Sequence, residues 1–409
     1  MLKLKRFLSL FVCAGLAQVI YIPLSQAERH PVLPPPYATA SAQKTSTVIG
    51  WPKGKTPRAA SGFVVQEFLS LEKPRSLFLL PSGNVLVSQA AKTPRDSGEK
   101  SPNKISLLKI KNGKLEGVST FAEDLNLPFG MAVWGSQFFI GEPDRVLVFP
   151  YKDEKLTGPG RAIAELPFPQ PQRHWTRHLL INSEGTKIYV SVGSASNVGE
   201  LPDPHDPHSA TVLEMNLDGS HQKVFASGVR NAVSMAWEPV TRELWAVVNE
   251  RDELGDDLVP DYITPLHDGD FYGWPYAYWG NHEDPRLKGI RPDLVAKSKT
   301  PYFSMGPHTA ALGIVFSTGT KLVAPFNKGA LITEHGSWNR SVLSGYGVRY
   351  VEFVNGKPID NEFDFLTGFI ADEGSAKVYG RPVASIILAD GSVLVSDDGG
   401  GKIWRVSRR

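Results

Sequence analysis

The chain has a single cysteine, Cys13, and it lies inside an apolar N-terminal stretch. Beyond that stretch there is no thiol to form a disulfide, ligate a metal or act as a nucleophile. Charge of one sign is lacking too. The 44 Lys and Arg face 42 Asp and Glu, a formal net charge of +2. That balance leaves no basic footprint for nucleic acid and no steering field. Any bound anion must be held by local arginines. No long segment carries a sustained 3.6-residue apolar period, which argues against an α/β barrel. A phosphate loop, a dinucleotide fingerprint, a Gly-x-Ser-x-Gly elbow and a His-Glu-x-x-His helix are all missing.

What is present starts with a targeting pattern. Lys3, Lys5 and Arg6 precede an apolar stretch from Phe7 to Leu24, followed by Ser25-Gln26-Ala27. A basic region, a short apolar core and small residues mark a secretory signal. Residues 1–27 are expected to be a signal peptide, and the mature chain to be periplasmic or secreted with no stable membrane span. A stretch of about 18 residues sits at the short limit for crossing a bilayer as a retained anchor. Residues 28–60, with Pro31, Pro34, Pro35 and Pro36, read as a linker or as an arm across the domain surface.

From residue 61 a unit recurs. Leu80-Pro81-Ser82-Gly83-Asn84 leads into Val85–Ser88, Asn182-Ser183-Glu184-Gly185 into Ile188–Ser191, and Ala389-Asp390-Gly391-Ser392 into Val393–Ser396. Weaker copies lie at Phe138–Gly141, Leu244–Val248 and Ala330–Thr333. Each is a tight turn feeding a strand that is apolar without alternation, as expected for a strand buried on both faces. A period of roughly 50 to 65 residues in a β-only pattern indicates propeller blades. Residues 61–409 are therefore expected to fold as an all-β, six-bladed β-propeller. One interval is wide, and residues 251–300 are expected to form a long inserted loop of the kind that carries function.

Four segments next to these strands concentrate polar chemistry. Arg173-His174-Trp175-Thr176-Arg177-His178 offers a histidine for base catalysis beside arginines. Ser227-Gly228-Val229-Arg230-Asn231 offers a planar guanidinium and an amide. Asn249 to Asp257 places Asp252, Glu253 and Asp257 around a glycine, a set of oxygens suited to calcium but not to an EF-hand. Glu334-His335-Gly336-Ser337-Trp338-Asn339-Arg340 packs an imidazole, an indole, an amide and a guanidinium into one loop. Each segment also admits a plain reading as a solvated rim or turn.

The stretches Leu127-Pro128-Phe129-Gly130, "HWTRHLLINSEGTKIYVSVGSASN", "GVRNAVSMAWEP", "NERDELGDDLVPDYI", "GDFYGWPYAYWG" and "EHGSWNRS" resemble the quinoprotein glucose/sorbosone dehydrogenases, in particular the L-sorbosone dehydrogenase-like branch. The resemblance runs over residues 61–409 in one order. It implies a six-bladed propeller that binds pyrroloquinoline quinone (PQQ) and Ca2+ and oxidises a sugar, aldose or sugar aldehyde. Electrons would pass to an acceptor of the respiratory chain. It also implies His174 as general base and Arg230 and Asn231 as contacts near the reacting quinone oxygen. Arg381, in Tyr379-Gly380-Arg381-Pro382, would hold cofactor carboxylates, and Asp252, Glu253 and Asp257 would hold calcium. Arg177, His335, Asn339 and Arg340 complete the expected cofactor contacts.

The sequence departs from the glucose-oxidising members in three places. Val383 stands where a second arginine is usual, His178 stands where an arginine follows the catalytic histidine motif, and the cofactor-contacting lysine has no match in the fifth blade. Two other uses of such a propeller stay open on sequence: a calcium-dependent lactonase or esterase, and a non-catalytic binding protein.

Overall fold

The computed structural model describes residues 31–91, 100–167, 174–200 and 207–409. The signal segment and Arg173 lie outside the described residues.

Six antiparallel sheets of four principal strands follow one another along the chain. The first blade is Pro74–Leu79, Val85–Gln89, Lys104–Lys111 and Lys114–Ala122. The second is Met131–Trp134, Gln137–Glu142, Arg145–Lys152 and Arg161–Glu165. The third is Leu179–Ile181, Lys187–Val192, Thr211–Asn216 and Lys223–Ser227. The fourth is Ala232–Trp237, Leu244–Val248, Pro260–Leu266 and Phe303–Pro307. The fifth is Ala311–Phe316, Gly329–Glu334, Gly347–Val354 and Lys357–Thr367. The sixth combines Pro382–Ile387, Val393–Asp397 and Lys402–Arg408 with Phe63–Ser70 from the beginning of the domain. That last pairing is antiparallel, Phe63 opposite Arg408 and Ser70 opposite Lys402. It ties the two ends of the domain together and removes the open edge that a linear array of sheets would leave.

The six strands that recur in the sequence are the second strands of the six blades. Most of their residues are buried, and in the first, fourth, fifth and sixth blades the whole strand is. A strand flanked by sheet neighbours and by the next blade has no solvent face, which is why its sequence lacks alternation.

The apolar core is divided the same way. One cluster lies between each pair of neighbouring blades: Leu86 with Phe138, Phe139 with Val190, Val212 with Ala246, Val247 with Ile332, Leu331 with Val395, and Leu394 with Val87. A further cluster takes one residue from each blade: Ala90, Phe129, Trp175, Val233, Leu312 and Val383. It plugs the axis. Val383 is 1% exposed, so the valine found in place of an arginine belongs to this apolar plug.

The insertion is shorter than the sequence suggested. Pro260–Leu266 is a fully buried third strand of the fourth blade, so the excursion is confined to residues 267–302. Prolines at positions 260 and 265 disguised the strand. Pro260 stands opposite Pro307 at the strand's first position, where no donor is demanded. The insertion adds Asp270–Phe271 in parallel to the outer edge of the third blade. It also contains the only α-helix among the described residues, Pro292–Lys297.

Residues 31–60 form an arm. Tyr37 N–H bonds Leu254 O at 2.8 Å and Lys44 N–H bonds Trp338 O at 2.8 Å. Thr47–Val48 then pairs in parallel with Lys377–Val378, and Arg58–Ala59 adds to the outer edge of the fifth blade. The arm therefore runs over loops of the fourth and fifth blades and the link between the fifth and sixth before it ends on the fifth blade's outer edge.

Candidate active site

In every blade the inner strand begins, and the second strand ends, at one face of the ring. The pairs Pro74 with Gln89, Ala232 with Val248, Ala311 with Glu334 and Pro382 with Asp397 show this directly. Polar residues just outside these ends therefore collect at one mouth. The candidate segments found in the sequence all have this placement.

At the mouth a cavity of about 270 Å3 is lined by Lys73, Arg75, Trp175, His335, Arg381, Asp398, Ala91 and Gly399. Three side chains here are formal cations and one is an anion. Asp398 accepts from Arg75 Nη1 at 2.5 Å and from His335 Nε2 at 2.9 Å. Burial works to raise its pKa, but His335, Arg75 and Arg381 outweigh that and hold the carboxyl well below the ordinary carboxylate value. Burial and the nearby Arg381 push His335 down to about 4. His335 is thus neutral at pH 7, and its contact with Asp398 is an Nε2–H hydrogen bond to a carboxylate. Arg381 donates to the carbonyls of His335 and Gly336 at 3.1 and 2.7 Å and lies 5.6 Å from the Tyr346 ring. Arg75 lies 5.1 Å from the Trp175 ring and 5.8 Å from that of Phe129. Its Nε is buried without a hydrogen-bond partner. A buried guanidinium with an orphan donor, beside two further cations and an aromatic wall, suits a planar polyanion.

His174 adjoins this cavity through its chain neighbour Trp175. Its Nδ1 is 2.8 Å from Ser194 O and 3.0 Å from Ser194 Oγ. A carbonyl can only accept, and Ser194 Oγ sends its own proton to Ser196 O at 2.7 Å. Nδ1 therefore carries the hydrogen, which puts the imidazole lone pair on Nε2, the tautomer a general base needs. Gly193 keeps Asn231 alongside. A Cβ at position 193 would stand 2.4 Å from Asn231 Oδ1 and 2.6 Å from His174 Cβ. Asn231 Oδ1 is buried with no partner of its own.

The other arginines are placed differently. Arg177 is fully buried and donates to the carbonyls of His174, Thr176 and Pro167 at 3.0, 2.9 and 3.0 Å. Burial brings it down to about 9. It holds the two ends of the loop that carries His174. Arg230, 2% exposed, donates to Asn197 O, Asn197 Oδ1 and Asn249 O at 2.9, 2.5 and 3.0 Å. It braces the loops behind Asn231. Asn339 accepts from Glu253 N–H at 2.8 Å and donates to Ala42 O at 2.7 Å. Arg340 donates to Asp256 O at 3.1 Å and Asp257 Oδ1 at 2.8 Å. Both clamp the acidic loop.

The acidic loop does not gather its carboxylates. Asp252 is buried and pairs with His308 Nδ1 at 3.2 Å, with Arg230 Nη2 at 3.6 Å. Burial opposes charging of His308, but Asp252 and the Gly255 carbonyl prevail and raise it. Asp257 is spent on Arg340, and Glu253 is exposed. Among the described residues no group of three or more His, Cys, Asp and Glu side chains could hold a metal ion. The three carboxylates are therefore not gathered around one point in this structure.

Lys73, Arg75, Trp175 and Asp398 were missed as site residues in the sequence. A signal existed. Lys73-Pro74-Arg75 straddles the start of the first inner strand as Arg381-Pro382 does at the sixth.

Six four-stranded sheets closed into a ring define the chain as a six-bladed β-propeller with a cation-lined mouth. The chain belongs to the TrAA12-like family, whose model matches residues 57–261 and 293–409. It is similar to the holo PQQ domain of pyranose dehydrogenase from Coprinopsis cinerea, at a TM-score of 0.73 and 21% identity over 89% of this chain and 100% of that one. A calcium structure of the Trichoderma reesei family AA12 enzyme aligns with a TM-score of 0.71 at 21% identity, covering 90% of this chain and 99% of that one. The aldose sugar dehydrogenase YliI of Escherichia coli is 28% identical over 136 residues, 33% of each chain.

Proposed function

We propose that the protein is an exported PQQ-dependent dehydrogenase that oxidises a sugar or sugar aldehyde. The observation that carries this reading is the mouth cavity lined by Lys73, Arg75, His335, Arg381 and Asp398 beside His174. PQQ bears three carboxylates on a planar ring system, and fixed guanidinium groups with an aromatic wall match that chemistry. Lys73, Arg75 and Arg381 would hold the carboxylates, with Trp175 as the wall. The names of similar proteins, a pyranose dehydrogenase and an aldose sugar dehydrogenase, support the sugar as substrate class.

When bound, PQQ supplies a two-electron acceptor for the substrate hydride. His174 takes the hydroxyl proton of the aldose, or of the hydrated aldehyde, on Nε2. Ser194 keeps the ring from rotating and fixes its tautomer. Asn231 Oδ1 lacks a partner and would accept a hydrogen bond from a substrate hydroxyl. Arg230 acts from behind, bracing Asn197 and Asn249. The three carboxylates expected for calcium lie apart, Asp252 on His308, Asp257 on Arg340 and Glu253 exposed. The electrons would leave to an acceptor of the respiratory chain, and a sorbosone-like aldehyde is the narrower substrate choice. Export rests on the Lys3 to Ala27 pattern. Among the described residues no helix is long and apolar enough to cross a membrane.

The test is to titrate the purified apoprotein with PQQ and follow visible absorbance and heat. Dye reduction is then assayed with aldoses and sorbosone. Saturable binding and sugar-dependent reduction are expected. No heat of PQQ binding refutes the reading.

A further inference from the structure

Asp397 is completely buried at the end of the sixth blade's second strand, one residue before Asp398. It does not line the cavity. Its two oxygens accept four hydrogen bonds. Oδ1 takes the backbone N–H groups of Arg381 and Gly400, each at 2.7 Å. Oδ2 takes two indole N–H groups, Trp51 at 2.7 Å and Trp404 at 3.2 Å. Trp404 belongs to the same blade. Trp51 does not: it arrives on the N-terminal arm, 346 residues away in sequence.

The arm's indole is seated in a notch. It packs edge-on against Trp404 and Phe369 at 4.9 and 5.4 Å between centroids and stacks on Tyr379 at 5.1 Å. A Cβ on Gly400 would stand 2.6 Å from the indole Cδ1 and Nε1 and 2.4 Å from Asp397 Oδ2. The site fits an indole in register with a carboxylate, and the shorter of the two indole bonds is the one the arm supplies.

Asp397 joins the two chain segments that carry the pocket's charges. Arg381 leads into the inner strand and Asp398 follows the second strand. The carboxylate pins the amide of the first and the Gly400 turn just after the other. Arg381 in turn reaches His335 O and Gly336 O, and Asp398 reaches His335 and Arg75. A shift in Asp397 therefore moves both the cation and the anion of the mouth cavity together.

We propose that Trp51 is a positioning residue of the cofactor pocket, its indole N–H fixing Asp397 and through it the backbone that aims Arg381 and Asp398. The N-terminal arm is on this view a working part of the site. The inference rests on the PQQ reading for the identity of the ligand, but not for the local geometry.

The test is Trp51→Phe, which keeps the aromatic packing and removes the N–H. Amide hydrogen exchange is read in the apoprotein, and PQQ affinity by absorbance titration. Exchange at the Arg381 and Gly400 amides is expected to rise about tenfold, while Phe139 and Val190 in the second and third blades, away from the sixth, keep their rates. The PQQ Kd is expected to rise about tenfold as well. Unchanged exchange at Arg381 and Gly400 overturns the proposal, and so does a uniform rise across all blades, which would mean a merely structural role. If the wild type binds no PQQ, the functional reading fails and the exchange data still decide this one. Should W51F not accumulate, Trp404→Phe removes the longer indole bond, and a smaller rise at the same two amides is expected; no rise there overturns the proposal.

Discussion

Replacing Asp398 with asparagine tests the electrostatic design of the mouth most directly. Asp398 holds Arg75 at 2.5 Å and His335 at 2.9 Å, and the Arg75 and Asp398 side chains are 10% and 16% exposed. Asparagine keeps the shape but removes the charge, and one of its two polar ends becomes a donor facing a donor. Breaking a buried ion pair by removing one partner costs about 3–5 kcal/mol, because the other charge stays desolvated. The mouth is open on one side, so a loss of about 2–4 kcal/mol is expected. Urea unfolding of apo D398N against wild type at pH 7 measures it. The sign with pH follows from the lowered folded-state pKa of Asp398. A depressed carboxyl contributes its full stability above its unfolded pKa of about 4 and loses it as pH falls through the folded value. The gap between the two proteins should be constant from pH 5 to 8 and narrow only under stronger acid. A difference below about 1 kcal/mol at pH 7 would refute the view that Asp398 is the counter-charge of the pocket.

Four further outcomes are expected. His174→Ala should lower turnover about 10²- to 10⁴-fold with PQQ affinity little changed, measured by dye-linked kinetics and absorbance titration. Glu334 is buried, with Oε1 lacking a partner, and burial raises it to about 8. A raised acid loses stability as pH climbs from its unfolded value through its folded one, so Glu334→Gln should match wild type near pH 4.5 and exceed it by more than about 1 kcal/mol at pH 8.5 in urea unfolding. Val383→Arg would put a charge into the axial plug and is expected to cost more than about 3 kcal/mol, seen as loss of soluble protein or of cooperative unfolding. Dialysis against EGTA should leave the melting temperature of the apoprotein unchanged, because Arg230, His308 and Arg340 already pair the acidic loop.

The second strands were legible because each is enclosed on both faces, and their turns and apolar runs repeat along the chain. The same reading located the loops of the mouth, since those loops are simply what flanks a blade strand. His174, Asn231 and His335 stood out for that reason, whereas Arg381 came only from the family resemblance. The side-chain roles within those loops were not legible. Arg177, Arg230, Arg340 and Arg381 look alike in sequence, yet the first three serve loops and only Arg381 lines the cavity. A guanidinium takes whichever acceptors the folded loops bring to it, and those acceptors are mostly backbone carbonyls from elsewhere in the chain.

By itself, then, the sequence determined the ring, because blade repetition is a local property of burial and turn chemistry. Tertiary structure decided the site. Closure of the ring brought Lys73 and Arg75 of the first blade against Arg381 and Asp398 of the sixth, and the arm delivered Trp51 to Asp397. Such contacts depend on the packing of distant segments, which no local pattern of residues encodes.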